Sequence, residues 1–504
     1  MKKLLGLFTG LLLITAANAA ALKFEFDQLF GSNAVLQRNL DNHPIWGNAP
    51  AGSVVEVTFR GVTRQTQADG NGKWQVRLPS GEAGGPFQLV ATCNEQKIIS
   101  HNIAVGEVWL VAGQSNADYP LRKFQNGEIW AKDAEYPQIR YLKQTWQPPH
   151  LRAPDLWRVC SKDTALAFSA TGFFFAKGLT RDIKMPVGII VGAADGSVIA
   201  RWISREALEK IPDAKKNLLE PYDRAVAKYP EVKKQYDAEV ERRLALPAEA
   251  KSNLPDLKMP IPPTPMFSSS FDAIIKPIIP FPIKGVIWYQ GESNAMFSQG
   301  YQYRFYLEGL INEFRELWQN PQMPFIVVEI PRYQQTYVWA DLRDSQKFVA
   351  DNLKNVFLVT ILELGELKEI HPPRKPEMAE RLVLSARKNV YGEKDLIASG
   401  PVYKSMKIVG KTIEIEFDSL GDGLVSNDNM PLREFTIAGA DKKFYPAKAQ
   451  IVGEKVVVSS ERVAEPKAVR YAWRDAVDVN LFNRNGLSAG QFRTDNWKIP
   501  TQRD

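Results

Sequence analysis

The chain has 504 residues, a formal charge of +7, 44% hydrophobic residues and only two cysteines, Cys93 and Cys160. That length exceeds one domain at about 100 to 200 residues each, and the basic residues are scattered rather than clustered, which argues against nucleic-acid binding. No stretch beyond the N-terminus reaches the roughly 20 apolar residues of a membrane span, and a core this large needs no disulfide, so the two cysteines read equally well as a pair or as two small hydrophobes.

Lys2 and Lys3 precede an apolar run from Leu4 to Ala17, followed by the small-residue pattern Ala17-Asn18-Ala19. This predicts a secretory signal over residues 1–19 and an exported protein, periplasmic or secreted. Over residues 20–103, short alternating stretches such as "SVVEVTFRG", "KWQVRLPSG" and "FQLVATC" are separated by Gly and Pro. They predict an N-terminal antiparallel β domain.

From 104 to 395 the apolar runs lose their alternation: "VGIIVGAADG" (187–196), "KGVIWYQGESN" (284–294), "PFIVVEI" (324–330) and "VFLVTILEL" (356–364). Continuous apolar strands separated by helical text predict an α/β domain whose parallel sheet is covered on both faces. Helices are expected over "TGFFFAKGLTRDI" and "YQYRFYLEGLINEFRELWQ", where apolar residues recur at three and four. A charged, helix-rich insertion covers about 205–265 and ends in the Pro-rich "LPDLKMPIPPTP"; its charges read as a solvated face. Alternation returns in "MKIVGKTIEIEF" and "KVVVSSERV", which predicts a C-terminal β domain over 396–504.

In open α/β sheets the ligand sits beyond the carboxyl ends of the strands. Here those ends are polar: Gln114, Ser115 and Asn116 after the first strand, Asp195, Gly196 and Ser197 after the second, Gln290, Glu292, Ser293 and Asn294 after the third, Glu363 and Glu366 after the fifth. Ser115 is the candidate nucleophile, because a serine on a tight strand-to-helix turn presents its hydroxyl while nearby N–H groups stay free for an oxyanion. Gly113 allows that turn. A helix cap is the competing use of such a serine.

A serine hydroxyl needs a base at neutral pH. Of the four histidines, His43 lies in the N-terminal β region, His101 at its end and His150 in a loop; His371 alone follows the last strand of the α/β domain. It sits in "ELKEIHPPRKPEMAERL", where the Pro pair can start a helix. Gly196 allows close backbone approach to a reacting carbonyl, and the Asn294 amide can donate from the third strand end.

"GEVWLVAGQSNADYPL", "IKGVIWYQGESNA" and "EIHPPRKPEMAERL" resemble three signature blocks of the sialate O-acetylesterase group of the SGNH (GDSL-like) hydrolases. The flanking "LFGSNAVLQRNLDNHPIWGNAPAGSVVEVTF" and "AVRYAWRDAVDVNLFNRNGLSAGQFRTDNW" are similar to the β regions of bacterial members. The resemblance implies a flavodoxin-like α/β/α core, hydrolysis of acetyl esters on sugars, and neither metal nor organic cofactor. It implies Ser115 as nucleophile, His371 as base, and an oxyanion hole from the Ser115 amide, Gly196 and Asn294; the strand-end residues Gln114, Asn116, Gln290 and Glu292, with Arg201, are the candidate supporting or substrate-contacting groups. Two departures stand out. Asp195-Gly196 replaces a common Gly-Gly pair, and the acidic residue before the histidine is Glu369 at the second position, with Lys368 at the third. Glu369 can orient His371 if the segment is extended; otherwise a backbone carbonyl leaves a Ser-His dyad.

The expected partner is therefore an acetylated sugar, with no nucleic acid and no membrane. Trp288, Tyr289 or Trp202 could wall the acyl group, and Arg201 or Arg332 could face a sialic acid carboxylate. Esterase action on acetylated xylan or xyloglucan side chains would use the same chemistry. A non-catalytic carbohydrate-binding protein is the alternative of another class, disfavoured because binding alone has no use for Ser115, Gly196, Asn294 and His371 together.

Overall fold

The computed structural model describes residues 23–145, 157–247, 250, 254–334 and 338–503. The expected signal over 1–19 and the loop histidine His150 lie outside the described residues.

Among the described residues, a seven-strand path through an eleven-strand sheet organises the molecule. Its strands are β1 (Gln96–Gly113), β2 (Tyr136–Gln144), β3 (Trp157–Cys160), β4 (Val187–Ala193), β5 (Gly285–Tyr289), β6 (Phe325–Val328) and β7 (Val356–Val359), arranged β3-β2-β4-β1-β5-β6-β7. All neighbouring pairs are parallel except β3 with β2. Each strand that read as a continuous apolar run from 187 onward forms here, because a strand buried on both faces has no polar side to alternate with.

The two faces divide by residue parity, since successive side chains point to opposite sides. Leu110, Val286, Trp288, Phe325 and Val327 pack with Leu307, Leu310, Phe314, Trp339 and Leu342. Trp109, Val111, Ile287, Tyr289, Ile326 and Val328 pack with Phe173, Leu179, Met378, Leu382 and Val383. Helices α1 (Ser115–Asp118), α2 (Ala170–Ile183), α3 (Glu220–Leu244), α4 (Tyr303–Leu317), α5 (Trp339–Asn352) and α6 (Lys375–Asn389) follow in chain order. Among them α2 and α6 cover one face and α4 and α5 the other, giving a mixed α/β molecule with several sheets. Helix α3, in the charged segment, has no buried residue, in keeping with a solvated face.

The N-terminal β region is continuous with this sheet. Strand β1 starts as the antiparallel partner of Gly84–Cys93 and runs on, without a break at 103, into the parallel sheet. Strand pairing there is antiparallel, as alternation predicts, except that Val35–Gln37 runs parallel to Ala104–Gly106. Cys93 and Cys160 are both free and buried, so of the two readings it is the pair of small hydrophobes that the structure shows. C-terminal strands form separate antiparallel sheets around a third core that includes Ile413, Val458, Tyr471 and Phe492.

Candidate active site

Strand β1 ends at Gly113 with φ of 142°, and a Cβ there would lie 2.0 Å from the Tyr289 carbonyl oxygen. Only glycine lets β1 and β5 come this close at the point where the chain turns into α1. Gln114 is buried; its main-chain N–H donates to Tyr289 O at 3.1 Å and its side-chain oxygen accepts from Gln290 Nε2 at 3.2 Å. Gln114 and Gln290 thus clip the two strand ends together rather than reaching outward. Ser115 begins α1, where a first-turn N–H has no helical acceptor.

His371 lies in the non-regular segment between β7 and α6. Its Nε2 is 2.9 Å from Ser115 Oγ, across 256 residues of sequence. Glu369 Oε1 accepts from the His371 main-chain N–H at 2.8 Å and lies 3.2 Å from Nδ1. With Nδ1 facing a carboxylate, the neutral ring carries its proton there and leaves Nε2 to accept from the serine hydroxyl. Tyr119, from the end of α1, stacks on the imidazole at 4.6 Å with planes 22° apart. Burial holds the imidazole below its ordinary range, aided by the Lys375 charge and opposed by Glu369 and Asp195. The ring is therefore neutral, and able to take a proton, at neutral pH.

Gly196 is exposed, with φ of 63° and open space where a Cβ would be. Asn294 Oδ1 accepts from the Ile199 main chain at 3.0 Å and from Gln290 Nε2 at 2.8 Å, which fixes the amide's orientation. Its Nδ2 donates one hydrogen to Gln299 Oε1 at 2.7 Å, leaving the second for another acceptor.

Behind the serine is a buried polar cluster. Asn116 Nδ2 donates to Glu292 Oε1 at 2.7 Å and to the Ile370 carbonyl at 3.0 Å, while its Oδ1 accepts from Lys375 Nζ at 2.7 Å. Burial raises the Glu292 carboxyl and brings the Lys375 amine down to about 7. Asn116 and Glu292 are legible in the sequence as polar strand-end residues, whereas Lys375, Tyr119 and Gln299 do not stand out there. Lys375 reads as one more charge in "HPPRKPEM", and nothing in that spacing marks it as buried. A signal for Tyr119 was present, since it follows the serine by one helical turn.

Other candidates are engaged elsewhere. Arg201 Nε donates to Ser269 Oγ at 2.9 Å, and Arg332 Nε donates to the Gly365 carbonyl at 2.8 Å, with Asp478 3.8 Å from its guanidinium. Trp288, Tyr289 and Trp202 are wholly buried: Trp288 donates to the Tyr303 hydroxyl and Trp202 to Ser197 Oγ, both at 2.9 Å. They are core residues and form no acyl wall. His43 is buried, held down to about 4 by desolvation, and His101 is exposed; neither joins the site.

A serine hydroxyl on an imidazole, with a carboxylate on the far nitrogen and donors at neighbouring strand ends, is an arrangement suited to acyl transfer. Residues 267–379 match the family model described as carbohydrate esterase, sialic acid-specific acetylesterase. Rat sialate O-acetylesterase is 25% identical over 93% of each chain, and the human enzyme 25% identical over 80% of this chain and 79% of its own. The crystal structure of a carbohydrate acetylesterase from Xanthomonas citri is similar at 31% identity and a TM-score of 0.78, covering 94% of this chain and all of that one. The protein is a carboxylic ester hydrolase. It belongs to the sialate O-acetylesterase family of carbohydrate esterases, whose reaction is hydrolysis of O-acetyl esters on carbohydrates.

Proposed function

We propose that the chain hydrolyses O-acetylated sugars through an acetyl-serine, with Ser115 as nucleophile, His371 as base and Glu369 orienting the ring. His371 takes the Ser115 proton as the oxygen attacks the acetyl carbon. The oxyanion is held by the Ser115 and Gly196 amides and the second Asn294 Nδ2 hydrogen. His371 then returns its proton to the departing sugar oxygen, and water, deprotonated by His371, releases acetate. The carrying observation is the 2.9 Å contact between Ser115 Oγ and His371 Nε2. The strand order β4-β1-β5-β6-β7 supports a flavodoxin-like SGNH core, with Ser115 where the order reverses.

O-acetylated sialic acid is the substrate we favour, on the names of the relatives. A neutral acetylated polysaccharide is the second reading, because exposed Asp195 and Glu369 both bring negative charge to His371 and would repel a sialate carboxylate. Export through residues 1–19 belongs to the same proposal, and N-terminal sequencing of the mature protein tests it. Release of acetate from an activated aryl acetate tests the chemistry: Ser115→Ala is expected to abolish turnover, and a Ser115→Ala variant as active as the native chain would end the proposal. Specificity constants across acetylated sialic acids and acetylated plant oligosaccharides decide between the substrates.

A further inference from the structure

Lys375 occupies a position that electrostatics disfavours. It opens α6, at the positive end of the helix dipole, and only 1% of it is exposed. Its Nζ lies over the Tyr289 ring at 4.8 Å and donates to an amide oxygen rather than to a carboxylate. A buried ammonium with so little direct compensation costs stability.

What it holds is the Asn116 amide. That amide has one acceptor atom and two N–H hydrogens, and all are used: the oxygen by Lys375, the hydrogens by Glu292 and the Ile370 carbonyl. Asn116 follows Ser115, and Ile370 precedes His371. One side chain thus joins the nucleophile's helix to the base's loop, held from its nitrogen by the Glu292 and Ile370 oxygens and from its oxygen by the ammonium.

We propose that Lys375 is a positioning residue for the esterase reaction: by fixing the Asn116 amide it holds the Ile370 carbonyl, and so keeps His371 in register with Ser115. This rests on the reading of Ser115 and His371 given above. A merely structural role would be to neutralise Glu292. The charged groups facing the pair are known: Glu292 and Glu369 act on Lys375, while Lys375, Glu369 and Asp195 act on His371.

The test uses the whole enzyme and an aryl acetate. In Lys375→Met, kcat is expected to fall about ten- to a hundredfold, the cost of a small misplacement of reacting groups, while KM stays within about twofold. Loss of the nearby positive charge moves the acid limb of kcat/KM to higher pH, because the imidazolium is no longer opposed by it. KM and the position of the limb do not depend on how much of the variant folds, and Lys375→Gln gives a second measurement. The double variant Lys375→Met/Glu292→Gln is expected to stay slow. A native kcat, an unmoved acid limb, or recovery in the double variant would overturn the proposal. Ser115→Ala measured alongside separates the two levels: turnover surviving there sinks the reading of the site itself, whereas a dead Ser115→Ala with an unaffected Lys375→Met sinks only this inference.

Discussion

Two parts of one sheet rim carry the same kinds of residue to different ends. Beyond β1, β4 and β5 the chain places Ser115, Gly196 and Asn294, and the serine meets His371 there. Beyond β6 and β7 it places Glu329 and Glu363, equally polar, yet these face the C-terminal β region. Glu363 accepts from Ser488 Oγ at 2.7 Å and pairs with Arg381, which also donates to the Thr360 carbonyl at 2.6 Å. Arg343, from α5, donates to Gln491 Oε1 at 2.9 Å, and Gln491 Nε2 donates back to the Ala340 carbonyl at 2.7 Å. A polar strand end is thus a site where the rim is open and a joint where another layer covers it.

The comparison breaks most visibly if the open half proves dispensable. His371→Ala is expected to reduce kcat/KM for an aryl acetate about ten-thousandfold or more, since the serine then has no base. Asn294→Ala comes next, at about a hundred- to a thousandfold in kcat, the usual cost of one oxyanion donor. Stopped assays with active-site titration measure both. An Asn294→Ala enzyme with native kcat would remove that amide from the oxyanion hole and leave the Gly196 and Ser115 amides alone.

Glu369→Gln should be milder, about tenfold in kcat. Its carboxylate touches both the His371 main chain and Nδ1, but the side chain is 57% exposed, so water screens it and can take over as acceptor. Because Glu369 favours the imidazolium, its loss should also move the acid limb of the pH profile to lower pH, opposite to the shift expected for Lys375→Met. Native kcat with an unmoved limb would make the enzyme a dyad in practice.

Much of the open half is legible in the amino-acid sequence alone. The run "VWLVAG" followed by Gln114-Ser115-Asn116 reads as a strand delivering a hydroxyl because strand burial and turn chemistry are local properties. The partnership of Ser115 with His371 is readable only through the strand-end rule, which puts distant residues on one rim. What local pattern cannot carry is which rim positions are covered. Glu363 and Ser115 both follow apolar runs, and only the contact of Ser488 with the former separates them. Lys375 escapes notice for the same reason, since burial of a helix's first residue depends on what α1 and β5 place above it. Continuity of β1 across residue 103 is equally hidden, because Gly106 and the change of alternation look like a boundary when only one strand's text is read.

The covered half yields the smallest predicted effect, and it is one of stability rather than rate. Glu329 follows β6 and is wholly buried; burial pushes its carboxyl up to about 7, against the opposing pull of the Arg343 charge, the Thr360 hydroxyl and the Gln491 main chain. In the unfolded chain a glutamate ionises near 4.3, as a rough reference. Between these values the folded protein binds more protons than the unfolded one, so stability contributed by this group falls as pH rises through the window, with a slope of at most about 1.4 kcal/mol per pH unit. Glu329→Gln removes that slope. Unfolding midpoints of the native and variant proteins, compared from about pH 5 to about pH 7.5, should therefore diverge in the variant's favour as pH rises, while kcat at fixed pH stays within about twofold. A tenfold loss of kcat with no change in relative stability would mean that the covered strand ends take part in the chemistry, and the division of the rim would fail.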